Sequence, residues 1–194
     1  TADWNVEGGH MAERVGLFSI ICLGETLLIS GATFARLDWT PQVWVAFGSA
    51  IVSTIAMWWL FFSRAHESAA HAIVQSEDPG ALARRGYTYA PLLIVAGIII
   101  VAVSDELVLA HPLGHVEPWT ALTLLGGPAV YLLGSAVAMW TVWRRPAWPR
   151  LIGFATLTAG WAIVPMVSPV VLSVLSTGVL VVVAAWETFR PQRA

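Results

Sequence analysis

The stretch Leu151–Trp186, LIGFATLTAGWAIVPMVSPVVLSVLSTGVLVVVAAW, runs for 36 residues without a single charged side chain. A soluble domain of ordinary composition, with about a quarter of its residues charged, does not contain such a run. As one helix it would measure about 54 Å at 1.5 Å per residue, whereas a bilayer core of about 30 Å takes about 20 helical residues. Pro165 and Pro169 lie near its middle. Proline removes a backbone donor and ends or kinks a helix, so Ser168-Pro169 is the natural break. The run therefore reads as two short spans, 151–167 and 170–186.

The rest of the chain repeats the pattern. It has 194 residues, of which 57% are hydrophobic and only 22 charged, 10 basic and 12 acidic. Its mean hydropathy is +0.73. Apolar runs separated by charges, Pro and Gly place four more spans at 12–35, 41–63, 87–109 and 119–143. The expected fold is all-α, a polytopic integral membrane helical bundle of six spans with five as the fallback, forming one transmembrane domain over 1–194. The lipid bilayer is its first partner. A net charge of −2 without clustered positive charge excludes a nucleic-acid footprint.

All ten cations are arginines. Arg64, Arg84 and Arg85 follow the second span, Arg144, Arg145 and Arg150 the fourth, and Arg190 and Arg193 the last, whereas the alternate loops hold only Arg36. The positive-inside rule then puts both termini in the cytoplasm. Trp39, Trp44, Trp58, Trp59, Trp119, Trp140, Trp143, Trp148 and Trp186 cluster near predicted span ends, as interfacial anchors do.

Five charges fall inside spans or at their edges: Glu13, Arg14, Glu25, Asp105 and Glu106. Glu25 lies near mid-span, where an ionised group costs at least a few kcal/mol unless it is paired, protonated or watered. Arg14 is 11 residues earlier, within 20° of the same helical face but about 16 Å away along the axis. The two line one stripe without pairing. His10, Glu13 and Arg14 form an i, i+3, i+4 cluster at the start of this helix. Gly16, Gly24 and Gly31 are expected to let a neighbouring helix approach closely. Asp105 and Glu106 sit 100° apart, so one faces inward more squarely, and Asp105, first after the apolar run, is expected to be the buried one. Gly126-Gly127-Pro128, with Tyr131 close by, is expected to break or kink the fourth span, and a broken helix exposes carbonyls to a cation or substrate.

Other chemistry is absent. The single cysteine, Cys22, permits no disulfide or cysteine zinc site within the chain. His66 and His71 are five residues apart and do not share a helical face as the two His of HExxH do. His111, His115 and Glu117 read as a solvated outer loop. No nucleophile–base pair, metal-ligand spacing or cofactor motif survives, so the reading includes no catalytic residue, metal or cofactor, and no enzyme.

The run HMAERVGLFSIICLGETLLISG resembles the H-x-x-E-R-x-G-L-F-x-I-I-x-L-G-E stretch of the bacterial low-temperature-requirement A (LtrA) family, matching at His10, Glu13, Arg14, Gly16, Leu17, Phe18, Gly24 and Glu25. RGYTYAPLLIVAGIIIVAV resembles the family's R-x-Y-x-Y segment, with Ala90-Pro91 where the family often has His. LGGPAVYLLG resembles its Gly-Gly-Pro-Ala-x-Tyr segment. The resemblance implies a bacterial cell-membrane protein of unassigned activity. It covers the C-terminal half of the family's usual chain. The N-terminal half carries a related acidic helix, which implies a duplicated protein with that half as partner. Two functions are open. One is an ion- or proton-coupled transporter or channel-like protein of unknown substrate. The other is a structural, sensory or assembly protein whose intramembrane polar residues serve helix packing.

Overall fold

The computed structural model describes residues 8–63, 89–143 and 146–189. Six α-helices and one 3₁₀ segment account for almost all of them, and no strand occurs among the described residues. The helices are α1 (Gly8–Phe34), α2 (Pro41–Phe62), α3 (Ala90–Ala110), α4 (Pro118–Trp143), α5 (Trp148–Ala159) and α6 (Pro169–Phe189), with the 3₁₀ segment Gly160–Met166 between the last two.

Proline marks the starts. Pro41, Pro118 and Pro169 each open a helix, and Pro91 and Pro149 occupy the second position of theirs. Proline fits there because the first-turn N–H groups have no intrahelical partner to lose. Thr40 caps α2 by accepting a hydrogen bond from the Val43 N–H through its side chain. The α3–α4 connection turns through Gly114, whose φ of 99° lies in the left-handed region that glycine adopts without strain.

Five helices, α1 to α4 and α6, are each long and apolar enough to cross a bilayer. Of the six expected spans, 151–167 forms no single long helix but a composite of α5 and the 3₁₀ segment. At one end of α6, the Val170 N–H donates to the Pro112 carbonyl in the α3–α4 connection (3.1 Å). At its other end, Glu187 binds Arg150 in the first turn of α5. The intervening α5 and 3₁₀ segment must therefore cover the same depth as α6. Twelve α-helical residues at 1.5 Å and seven 3₁₀ residues at 2.0 Å give about 32 Å, matching about 31 Å for the 21 residues of α6. The 36-residue run thus folds as a hairpin that turns between Met166 and Pro169.

The tightest packing joins α3 to α4. A Cβ on Gly97 would lie 2.5 Å from the Tyr131 backbone N, one on Gly127 would lie 2.9 Å from the Val101 N, and one on Gly134 would lie 2.7 Å from the Leu93 Cβ. Small residues in three successive turns let two membrane helices touch backbone to backbone. Gly24 and Gly31 have open space around them. The close approach expected at those two glycines lies instead on α3 and α4, because no described helix packs on their side of α1.

Large apolar side chains face outward along every crossing, including Ile21, Leu28, Ile55, Ile99, Leu122 and Val182. The anchoring tryptophans Trp39, Trp44 and Trp119 are exposed at one end of the bundle, and Trp58, Trp59, Trp140, Trp148 and Trp186 at the other. Phe34, Trp39, Trp44 and Phe47 stack around the α1–α2 turn, with ring centroids 4.3–6.3 Å apart.

Candidate functional site

The polar side chains within the bundle fall into a set that is fully engaged and a set that is not. The engaged set forms a seam along α2, α4 and α6. The Ser49 hydroxyl lies 2.9 Å from both the Ser173 and Thr177 hydroxyls, joining α2 to α6. The Tyr131 hydroxyl, fully buried, donates to the Met57 carbonyl at 2.6 Å, joining α4 to α2.

Pro128 lies inside α4, and the helix runs through it unbroken. Because proline has no N–H, the carbonyl four residues earlier, that of Leu124, loses its helical donor. The Ser176 hydroxyl of α6 donates to that carbonyl at 2.8 Å. The Gly126-Gly127-Pro128 segment therefore offers no open carbonyl at Leu124. Its freed backbone group is a contact between helices, as neighbouring side chains commonly supply in membrane bundles.

The seam ends in an ion pair. Arg150 and Glu187 are 4% and 3% exposed. The Arg150 Nε–H and Nη2–H donate to the two Glu187 carboxylate oxygens at 2.8 and 2.9 Å, and Nη2 also donates to the Leu60 carbonyl at 2.9 Å. Leu60 lies in the last turn of α2, whose carbonyls lack helical donors and carry the negative end of the helix dipole. One guanidinium thus ties α5, α6 and α2 together. Its sequence position suggested a solvated cytoplasmic loop. It is buried because α5 begins at Trp148, which brings Arg150 inside the first turn. A signal for the pair was present: Arg150 and Glu187 are the residues bounding the uncharged run, and a hairpin brings the ends of such a run together.

The unengaged set centres on α1 and α3. On α1 the buried positions are Gly16, Ser19, Leu23, Thr26, Ser30 and Phe34, one stripe at helical spacing. Arg14, Phe18, Ile21, Glu25, Leu28 and Ala32 form the opposite stripe, all exposed. The expected shared face of Arg14 and Glu25 is therefore present, but it points out of the bundle. Glu25 makes no hydrogen bond or ion pair with any other described residue. Glu13 is exposed beside Arg14, and the side chain of His10 lies outside the described residues.

On α3 the two neighbouring acids separate as their 100° offset requires. Asp105 is 5% exposed and Glu106 is exposed. The His111, His115 and Glu117 side chains are exposed in the α3–α4 connection. No group of three His, Cys, Asp or Glu able to hold a metal occurs among the described residues. His66 and His71 lie outside them.

The family model for the bacterial low temperature requirement A protein (LtrA) matches residues 1–185. The chain belongs to the LtrA family. It is also 36% identical over 184 residues to an uncharacterized protein of Rhizobium meliloti (strain 1021), an alignment covering 94% of this chain and 45% of that relative. The chain thus spans about half the length of the relative it matches. No solved structure matches it. For this LtrA-family chain, membership and five long apolar helices together make a multi-pass membrane protein.

Proposed function

We propose that the complete protein is an ion- or proton-coupled transporter or channel-like protein of the bacterial cell membrane, with Glu25 in its pathway and the remaining half of the protein as the partner of α1. One observation carries this reading: Glu25, near mid-span, lies on the outward stripe of α1. A carboxylate directed at lipid is untenable at that depth, and intramembrane acids mark polar pathways when they face water or protein. Only 28% of the α1 span is buried, against 50–56% for the other four long spans. α1 is therefore the helix with room for further protein, and the relative's greater length supplies the polypeptide. The arrangement suits a polar pathway at the seam between two halves, a common place for transporter sites.

The packing reading keeps specific support, though for other residues. Ser49, Ser173, Thr177, Ser176, Tyr131, Arg150 and Glu187 all spend their polar atoms on neighbouring helices. The test is flux into proteoliposomes containing the complete protein. Wild type is expected to move protons or ions, and Glu25→Gln to abolish the movement. Equal silence of both proteins toward every ion and solute tried would remove the transport reading.

A further inference from the structure

Two buried side-chain polar atoms have no hydrogen-bond partner among the described residues: Ser30 Oγ and Asp105 Oδ2. They lie on α1 and α3, which pack against each other. Each sits about one turn before its helix ends, at Phe34 and Ala110. The other buried hydroxyls of these helices are spent locally. Ser19 and Thr26 donate to the Val15 and Cys22 carbonyls at 2.9 and 3.0 Å, and Ser104 donates to the Val101 carbonyl at 2.8 Å. Ser30 makes no such bond, although it sits in the same buried stripe and is only 1% exposed.

Asp105 lies one turn beyond Val101, which meets Gly127 of α4. At 100° per residue its side chain is turned about 40° from that contact and about 80° from Gly97, toward the bundle interior. No cation faces it from the described parts of the elements around it. α2 and α4 carry no charged side chain, and the buried phenol of α4, Tyr131, is bonded to Met57. On α1, Glu25 points outward, and Glu13 and Arg14 lie near the opposite end. On α6, Glu187 is at the opposite end and bound to Arg150. At the same end of the bundle, Arg36, Asp38, Glu106, His111, His115 and Glu117 are all exposed. An ionised carboxylate with neither hydrogen bond nor counter-charge in such a place is strongly disfavoured, whereas a neutral carboxyl is tolerated.

We propose that Asp105 and Ser30 form a proton-binding site inside the bundle. The proton resides on the Asp105 carboxyl, and the Ser30 hydroxyl is its hydrogen-bonding neighbour through one bridging water, since the structure holds no direct bond between them. This names the bound species in the transport reading above and rests on that reading only for its purpose. The occupancy of the site is measurable without any flux.

The experiment is infrared difference spectroscopy of the complete protein in lipid bilayers. Wild type is expected to show the carbonyl stretch of a protonated carboxyl at neutral pH, shifted in heavy water and lost only on alkalinisation. Asp105→Asn, an isosteric neutral side chain, is expected to remove the band and to assemble like wild type. Ser30→Ala is expected to keep the band and shift its frequency, as loss of a hydrogen bond does. Ser30→Ala also reads the site if Asp105→Asn fails to assemble. Absence of an Asp105-dependent band at neutral and acid pH, a band unmoved by Ser30→Ala, or its removal by sodium or potassium at fixed pH would overturn the proposal. A wild type silent in every flux assay yet showing the band would sink the transport reading and leave the site standing.

Discussion

Removing the carboxylate of Glu187 tests the packing account where its energies are largest. Glu187→Ala deletes two charge-assisted hydrogen bonds, at 2.8 and 2.9 Å, from a guanidinium that is 4% exposed. Each such bond contributes about 1.5–3 kcal/mol, and truncating one partner of a buried pair costs about 3–5 kcal/mol because the other charge stays buried. Arg150 would keep the Leu60 carbonyl, a neutral acceptor that cannot offset the charge. The expected loss is about 4 kcal/mol, a factor of about 10³ in the folding equilibrium. It is read by reversible denaturation in mixed micelles with a helix-content probe. Arg150→Met combined with Glu187→Leu is expected to recover stability to within about 1 kcal/mol of wild type, since an apolar pair of similar volume commonly replaces a buried ion pair at little cost. The residual loss includes that of the Leu60 carbonyl, left without its donor. A loss under about 1 kcal/mol for Glu187→Ala would match an exposed ion pair and refute the buried latch.

Three further outcomes follow from the contacts between helices. Ser176→Ala leaves the Leu124 carbonyl freed by Pro128 without its donor, and is expected to cost about 1 kcal/mol in the same denaturation assay; in a Pro128→Ala background, where the helix N–H returns, the cost should vanish. Gly97→Ala sets a methyl 2.5 Å from the Tyr131 backbone N, so it is expected to lower stability by about 1–3 kcal/mol through forced separation of α3 and α4. Tyr131→Phe removes the 2.6 Å bond to the Met57 carbonyl and is expected to cost about 1 kcal/mol in the same assay.

Much of this architecture was legible because the bilayer imposes a length and a composition on each crossing. The observed helices begin and end within a few residues of the uncharged runs, and the break at Ser168-Pro169 follows from proline chemistry alone. Asp105 could be separated from Glu106 by helical offset, and Arg14 placed on the face of Glu25, because periodicity fixes direction within one helix. Contacts between helices were not legible. Nothing along the chain says that Ser176 meets the carbonyl that Pro128 frees, or that Gly97 rather than Gly24 meets a neighbour. Arg150 was misplaced because the positive-inside rule counts charges near span ends without saying which of them is drawn into the first turn. The unpartnered, buried state of Ser30 is likewise a property of the assembled bundle.

The central claim is that the Glu25 stripe of α1 borders a wet pathway within the complete protein. Cysteines placed singly at Ile21, Glu25 and Leu28, with Cys22 replaced by Ser, measure this through reaction with a membrane-impermeant thiol reagent in intact cells. The account predicts reaction at Glu25 and at its stripe neighbours, while cysteine at the buried Leu23 on the opposite stripe stays unreacted. Glu25 and its neighbours as unreactive as Leu23 would mean a dry interface or lipid, and would contradict the account.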